Sequence, residues 1–343
     1  MKTIVYGGHL SKFGLAFIKA VLREQKFEVN TVFIASADRW IKFVRKLKRV
    51  DQLPNESRFK KTYQKQTAEL EVWLSTNYSQ LSLMTIDSAN EDASIGHAAT
   101  SDIILTAAFP EIFSNAVLRA PRLGVINFHP SYLPRCRGAH PIYWTIASRE
   151  AFGGVTSHLM TRKIDAGPII ARVKIPFDAE QITYTKLYRR AIEALPKVIC
   201  LTGEKIDHDR ISSFLQEESE ATFFRENQRE DQYVQWKTED ESIIEAKVRA
   251  GGAFSVSSEG REYLLFPPVH CVVNSDQDAL LDEPAGVILE RKTQTLRIKG
   301  KKSIVELNYR LAGNEKWSYY WNNFWFRLVL SRLPIFAKRE LLL

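Results

Sequence analysis

Short runs of apolar and β-branched residues at 2–8, 29–35, 81–86, 103–108 and 125–128 alternate with segments of helical potential. This alternation constrains the fold more than any other feature. Strands separated by helices build a mostly parallel sheet whose two faces are both covered. The expected class is therefore α/β, a Rossmann-like sheet with helices on both faces, and ligands in such sheets bind beyond the carboxyl ends of the strands. Gly7-Gly8 follow the first strand without completing a G-x-G-x-x-G pattern, which argues against dinucleotide binding.

The pattern changes near residue 205. Gln216-Glu217-Glu218-Ser219-Glu220 and the charged stretch at 225–231 read as exposed connection. Beyond it, runs at 262–266, 270–273, 286–290, 295–298 and 303–309 recur between turn signals, the pattern of a small β-sheet or barrel. The expected organisation is a large domain over 1–205, a charged linker over 206–240, and a small β domain over 241–343. An aromatic-rich segment at 317–343 is read as a packing helix rather than a membrane-surface or oligomer helix. A chain of 343 residues that is 45% hydrophobic is long enough to give both domains a core.

No apolar run reaches the roughly 18 residues of a spanning helix, and the N-terminal run is too short for a signal peptide. A cytoplasmic protein with no membrane partner is expected. Cys136, Cys200 and Cys271 show no metal-ligand spacing, so reduced thiols and no bound metal are expected. The formal charge of +8 favours anionic partners, although basic clusters such as Arg45-Lys46-Leu47-Lys48-Arg49 are most simply a solvated helix face.

Two stretches carry chemistry. In the first, 124–142, an apolar strand delivers Asn127 and His129, followed by a loop stiffened by Pro130 and Pro134. Residues two apart on a strand point to one face, so Asn127 and His129 can converge on one ligand at the carboxyl edge of the sheet. In the second, 154–170, a strand-like run leads into a loop holding Asp165 just before Gly167. An amide, an imidazole and a carboxylate are the minimum set for acyl transfer without a covalent enzyme intermediate. Taken singly, Asn127 reads as a loop-capping residue and Asp165 as a turn residue.

The H-P-S-x-L-P-x-x-R-G-A block from His129 to Ala139 and the G-V-T-x-H-x-M block from Gly154, ending in D-x-G-P-I at Ile169, resemble the formyltransferase family. That family includes methionyl-tRNA formyltransferase, phosphoribosylglycinamide formyltransferase and the sugar N-formyltransferases. The resemblance is good over 80–200, poor over the first 80 residues, and returns weakly at Gln235-Trp236, 243–250 and 284–311. It implies catalysis by Asn127, His129 and Asp165, with 10-formyltetrahydrofolate as formyl donor. It places folate along Phe109-Pro110-Glu111-Ile112-Phe113 and the loop Met160-Thr161-Arg162-Lys163.

The resemblance leaves the acceptor open. The family's tRNA enzymes carry G-T-P-x-F after the first strand and a long basic insertion after the second. This chain has Gly7-Gly8-His9-Leu10, and its basic 39–50 stretch does not match that insertion. An amino sugar or similar small amine is expected ahead of methionyl-tRNA, with His9 a candidate for touching it. A non-catalytic folate- or RNA-binding module is the alternative of another class, and hydrolysis of the formyl donor is a third reading. The intact residues argue for transfer. His97, His140, His158, His208 and His270 are assigned surface or packing roles.

Overall fold

A computed structural model describes residues 1–48, 51–53, 55–226, 229–256, 262–272 and 284–311. The segment at 317–343 and the end of the basic stretch, Arg49-Val50, lie outside the described residues. The first half runs β1 (Lys2–Gly7), α1 (Lys12–Glu24), β2 (Glu28–Ala35), α2 (Ala37–Lys48), α3 (Glu56–Asn77), β3 (Ser82–Ile86), α4 (Asp92–Ala98), β4 (Ile103–Ala107), α5 (Asn115–Arg119) and β5 (Val125–His129). It continues with β6 (Arg137–Gly138), α6 (Pro141–Ala147), β7 (Phe152–Leu159), β8 (Ile169–Pro176) and α7 (Tyr184–Gly203). After β9 (Phe223–Phe224) come α8 (Glu241–Gly251), β10 (Ala253–Val256), β11 (Glu262–Val272), β12 (Ile288–Arg291), β13 (Thr295–Lys299) and β14 (Ile304–Leu311).

The first sheet has seven strands in the order β3-β2-β1-β4-β5-β7-β8. β1, β2, β3, β4 and β5 pair in parallel, whereas β7 runs antiparallel to β5 and to β8. The strand alternation divides the core into two layers. Val5, Val32, Ile34, Ile103 and Leu105 pack with Phe17, Val21 and Leu195 of α1 and α7 on one face. Ile4, Tyr6, Phe33 and Ile104 pack with Ala98 and Val117 of α4 and α5 on the other. Successive strand side chains point to opposite faces, so near-continuous apolar strands require a covering layer on each side.

Helix α1 starts where Ser11 accepts a hydrogen bond from the Gly14 N–H, and its buried positions Phe13, Phe17, Ile18, Val21 and Leu22 form one stripe. β1 ends between β2 and β4, so the chain leaves the sheet in opposite directions on either side of it and a crevice opens at the carboxyl ends. The site lies there.

The second sheet has five antiparallel strands in the order β10-β11-β14-β13-β12. Its core gathers Trp236, Ile244, Val248, Leu265, Leu296 and Val305. The sequence reading separated 262–266 from 270–273 at Pro267-Pro268, but β11 is continuous. Its register against β14 shifts between Phe266 and Val269, so the prolines occupy a bulge where no ladder N–H is required.

Candidate active site

β5 carries Asn127 and His129 to its end, and β7 lies antiparallel beside it with Asn127 opposite His158 and His129 opposite Thr156. Asp165 sits on the loop from β7 to β8, with its backbone in the left-handed region at φ +51°. The loop brings its carboxylate back over the strand ends. Oδ2 lies 3.6 Å from His129 Nδ1 and accepts a 2.9 Å hydrogen bond from the Gly138 N–H, while Oδ1 lies 3.4 Å from both Asn127 Nδ2 and His158 Nε2.

Gly138 is required at this point. It has φ +93°, and a Cβ there would come within 2.1 Å of the Phe224 carbonyl oxygen. Only glycine both adopts this conformation freely and admits the neighbouring backbone.

The hydrogen-bond partners assign the protons. His129 Nε2 is 3.0 Å from the Cys136 carbonyl, which can only accept, so Nε2 carries the hydrogen and Nδ1 presents its lone pair toward Asp165. By the same reasoning His158 Nδ1 donates to the Leu159 carbonyl at 3.0 Å, and its Nε2 lies 3.3 Å from the Asn127 amide nitrogen.

Burial lowers the His129 pKa, against the opposing pull of Asp165, and the ring is neutral at neutral pH. Burial pushes the Asp165 carboxyl upward, but attraction to His129 and His158 when those rings are protonated, together with the Gly138 N–H bond, outweighs it and holds the group below the usual carboxylate range. A neutral imidazole with a free nitrogen beside a fixed carboxylate is a poised proton acceptor. The Asn127 amide bonds are long and therefore weak, so they exchange at small cost for a shorter bond to a developing oxyanion.

Asn127, His129, His158 and Asp165 line a cavity of about 1090 Å³. Ligand clefts span roughly 300–1,000 Å³, and this one stands at the upper end of that range. One wall holds Phe109, Pro110, Glu111, Ile112 and Phe113, and near them lie Met160, Thr161 and Arg162. Lys163 is exposed and does not line the cavity. Ile112 is 70% exposed and free to cover a flat ligand, whereas Phe113 is buried against Tyr6 and Phe109 as part of the core.

The Glu111 carboxylate is occupied by the Ser88 hydroxyl, the Ala89 N–H, the Asn90 amide and Arg39. Apolar surface with backbone groups at its margin suits a pteridine ring.

His9 is buried, donates to or accepts from Thr67 Oγ1 at 3.0 Å, and does not line the cavity. His158, assigned a packing role from sequence, is instead 1% exposed and in contact with both Asn127 and Asp165. It is the histidine of the G-V-T-x-H-x-M block, and the antiparallel register of β5 and β7 is what sets it against Asn127. Among the described residues no three His, Cys, Asp or Glu side chains converge as a metal site, and no helix is long and apolar enough to cross a membrane.

The family model described as Formyl transferase matches residues 10–202, more than half of the chain. The chain belongs to the formyl transferase family. The methionyl-tRNA formyltransferase of Macrococcus caseolyticus is 36% identical over 145 residues, which are 40% of this chain and 44% of that protein. The chain thus matches less than half the length of this curated relative. A longer alignment, 28% identical over 225 residues, reaches 65% of this chain and 70% of the Thermotoga neapolitana methionyl-tRNA formyltransferase.

Among solved structures, an N-formyltransferase from Helicobacter canadensis, in complex with folinic acid and dTDP-3-aminofucose, superposes with a TM-score of 0.57 at 15% identity. That superposition covers 90% of this chain and 99% of the other. At that identity the likeness is one of fold.

Proposed function

We propose that this formyl transferase family member moves a formyl group from 10-formyltetrahydrofolate to a primary amine, with Asn127, His129 and Asp165 as its catalytic residues. The observation that carries the proposal is the convergence of these three side chains, with His158, at the lip of one cavity. Folate supplies the formyl group, and Phe109, Ile112, Met160 and Arg162 would hold it. Asn127 donates to the oxygen on which negative charge grows as the amine adds to the formyl carbon. His129 takes the proton that the amine loses, at Nδ1, and returns it to the departing nitrogen. Asp165 stabilises the imidazolium formed between these events.

For the acceptor we favour a small amine, such as a nucleotide-linked amino sugar. Two features support this. The cavity is bordered by Phe223, 60% exposed, with Phe224 stacked on Trp144 at 4.5 Å, an aromatic margin suited to a planar base. The Helicobacter canadensis protein, whose fold this chain shares over 90% of its length, binds dTDP-3-aminofucose, which supports a sugar acceptor. Methionyl-tRNA is the competing acceptor. It is favoured by the names of the sequence relatives and by Arg39, Lys42 and Lys46, which put cations of α2 on the cavity wall.

Release of tetrahydrofolate, followed over a panel of amines including a nucleotide-linked amino sugar and methionyl-tRNA, tests both. Preference for the sugar is expected. Efficient formylation of methionyl-tRNA, with binding that falls by a slope of about −0.9 per phosphate contact as salt rises, would reverse the acceptor choice. No release with any amine would refute the transfer reading.

A further inference from the structure

The charged stretch at 205–226, exposed over most of its length, does more than connect two sheets. It leaves the first sheet by a bridge between Ile169 and Phe214, whose backbones exchange hydrogen bonds of 2.8 and 2.9 Å. It then crosses both loops that build the site. Thr222 accepts from the Arg137 N–H through its carbonyl and from the Cys136 N–H through its hydroxyl, and Phe224 accepts from the Ala139 N–H. One side chain in this strap touches both loops at once.

Gln216 is 9% exposed, and its Nε2 donates to the carbonyl of Asp165 at 2.8 Å and to that of Gly167 at 2.7 Å. Its Oε1 accepts from Arg137 Nε and Nη2 at 3.0 and 2.9 Å. The Arg137 guanidinium is itself buried, and Glu218 occupies its outer edge. Arg137 in turn stands next to Gly138, the N–H donor to the Asp165 carboxylate.

We propose that Gln216 is a positioning residue: its amide ties the Asp165 loop to the Arg137-Gly138 loop and so sets the Asp165 carboxylate against His129. The chemical reason lies in the number of bonds this amide makes. Asp165 is held in a left-handed backbone conformation that is uncommon for a non-glycine residue, though Asp adopts it more readily than most. Gln216 braces that conformation from both sides of the turn, at the carbonyls of Asp165 and Gly167. Among the described residues no ionisable side chain bonds these two carbonyls, and the linkage crosses 51 positions of sequence.

The proposal rests on the functional reading above, and its test separates the two. In Gln216→Met the side chain keeps its length and loses all its polar contacts. Its kcat is expected to fall about tenfold or more, with donor KM changed less than about threefold, since small displacements of a catalytic group cost rate rather than affinity. Glu218→Gln, which alters only the exposed edge of Arg137, is expected to keep kcat within about twofold. In an Asp165→Asn background Gln216→Met is expected to cost nothing further, because the two act through one contact.

An NMR titration of the His129 ring in the resting enzyme reads the same displacement without turnover: the ring pKa falls in Gln216→Met as the Asp165 charge recedes. If Gln216→Glu, used where the Met variant does not fold, retains full kcat, the proposal is overturned. The same holds if Gln216→Met loses an equal factor in the Asp165→Asn background, or if the His129 titration is unmoved. A wild-type enzyme that transfers no formyl group would refute the functional reading while leaving the titration as the test of positioning.

Discussion

Asn127 Nδ2 lies 3.3 Å from His158 Nε2 across the β5–β7 pair, and both atoms stand 3.4 Å from Asp165 Oδ1. The Asn127 amide thereby stands between an imidazole nitrogen and a carboxylate, each at the long end of hydrogen-bond range. The arrangement keeps the Asn127 amide oriented without tying it tightly. It also gives His158 a part in aiming two of the proposed catalytic groups.

Replacing His158 by Phe is therefore expected to lower kcat by about tenfold through loss of orientation, less than the loss at His129. Steady-state kinetics with donor in excess measure it. A variant with wild-type turnover would return His158 to a packing role.

His129→Asn, Asp165→Asn and Asn127→Ala are each expected to lower turnover by at least about a hundredfold, the usual contribution of a positioned proton-transfer or oxyanion group. Melting curves should stay close to wild type for Asn127→Ala, whose contacts are weak. Near-normal formyl transfer by any one folded variant would remove that residue from the catalytic set.

The pH profile follows from the direction of the His129 shift. Burial lowers this pKa below the ordinary histidine value, so the neutral base is already present at mildly acid pH. kcat is expected to rise with pH through an ionisation below about 6.5 and to be level above it, where chemistry limits the rate. A midpoint above about 7 would place the controlling group elsewhere.

Gly138→Ala is expected to destabilise the protein by at least about 1–3 kcal/mol, the cost of an imposed left-handed residue, and more where the Cβ meets the Phe224 carbonyl 2.1 Å away. Thermal unfolding reads this cost. The same variant moves the N–H that holds Asp165, so turnover should fall along with the melting temperature.

Acid stability gives a separate test at His9. Burial holds this imidazole down to about 3, and its Nδ1 has no hydrogen-bond partner among the described residues. The unfolded chain titrates near about 6.5, so the folded state resists protonation that the unfolded state accepts. Stability is complete above the unfolded value and is lost as pH falls from there toward 3. His9→Asn, which can still meet Thr67, is expected to flatten part of this loss in denaturant unfolding between about pH 6 and 4. An unchanged slope would show that His9 protonates normally.

The sequence by itself determined the covered parallel sheet and the placing of Asn127 and His129 on one face of a strand end. Both follow from short-range rules, the alternation of strand side chains and the separation of strands by helices. It also placed Asp165 on a loop between two strands, although alone that residue reads as a turn residue and the family motif is what singles it out. Tertiary structure alone decided what surrounds them. His158 joins the site only because β7 runs antiparallel to β5 in the one register that sets it opposite Asn127.

Gln216 joins because a charged strap folds back to two carbonyls at positions 165 and 167. Glu111 and Phe113 line the cavity, and only the tertiary structure shows that the carboxylate of the one is ion-paired and the ring of the other packed in the core. Such assignments depend on which distant groups meet a side chain. Closing loops of that length is governed by the packing of the whole chain, and no local pattern of residues encodes it.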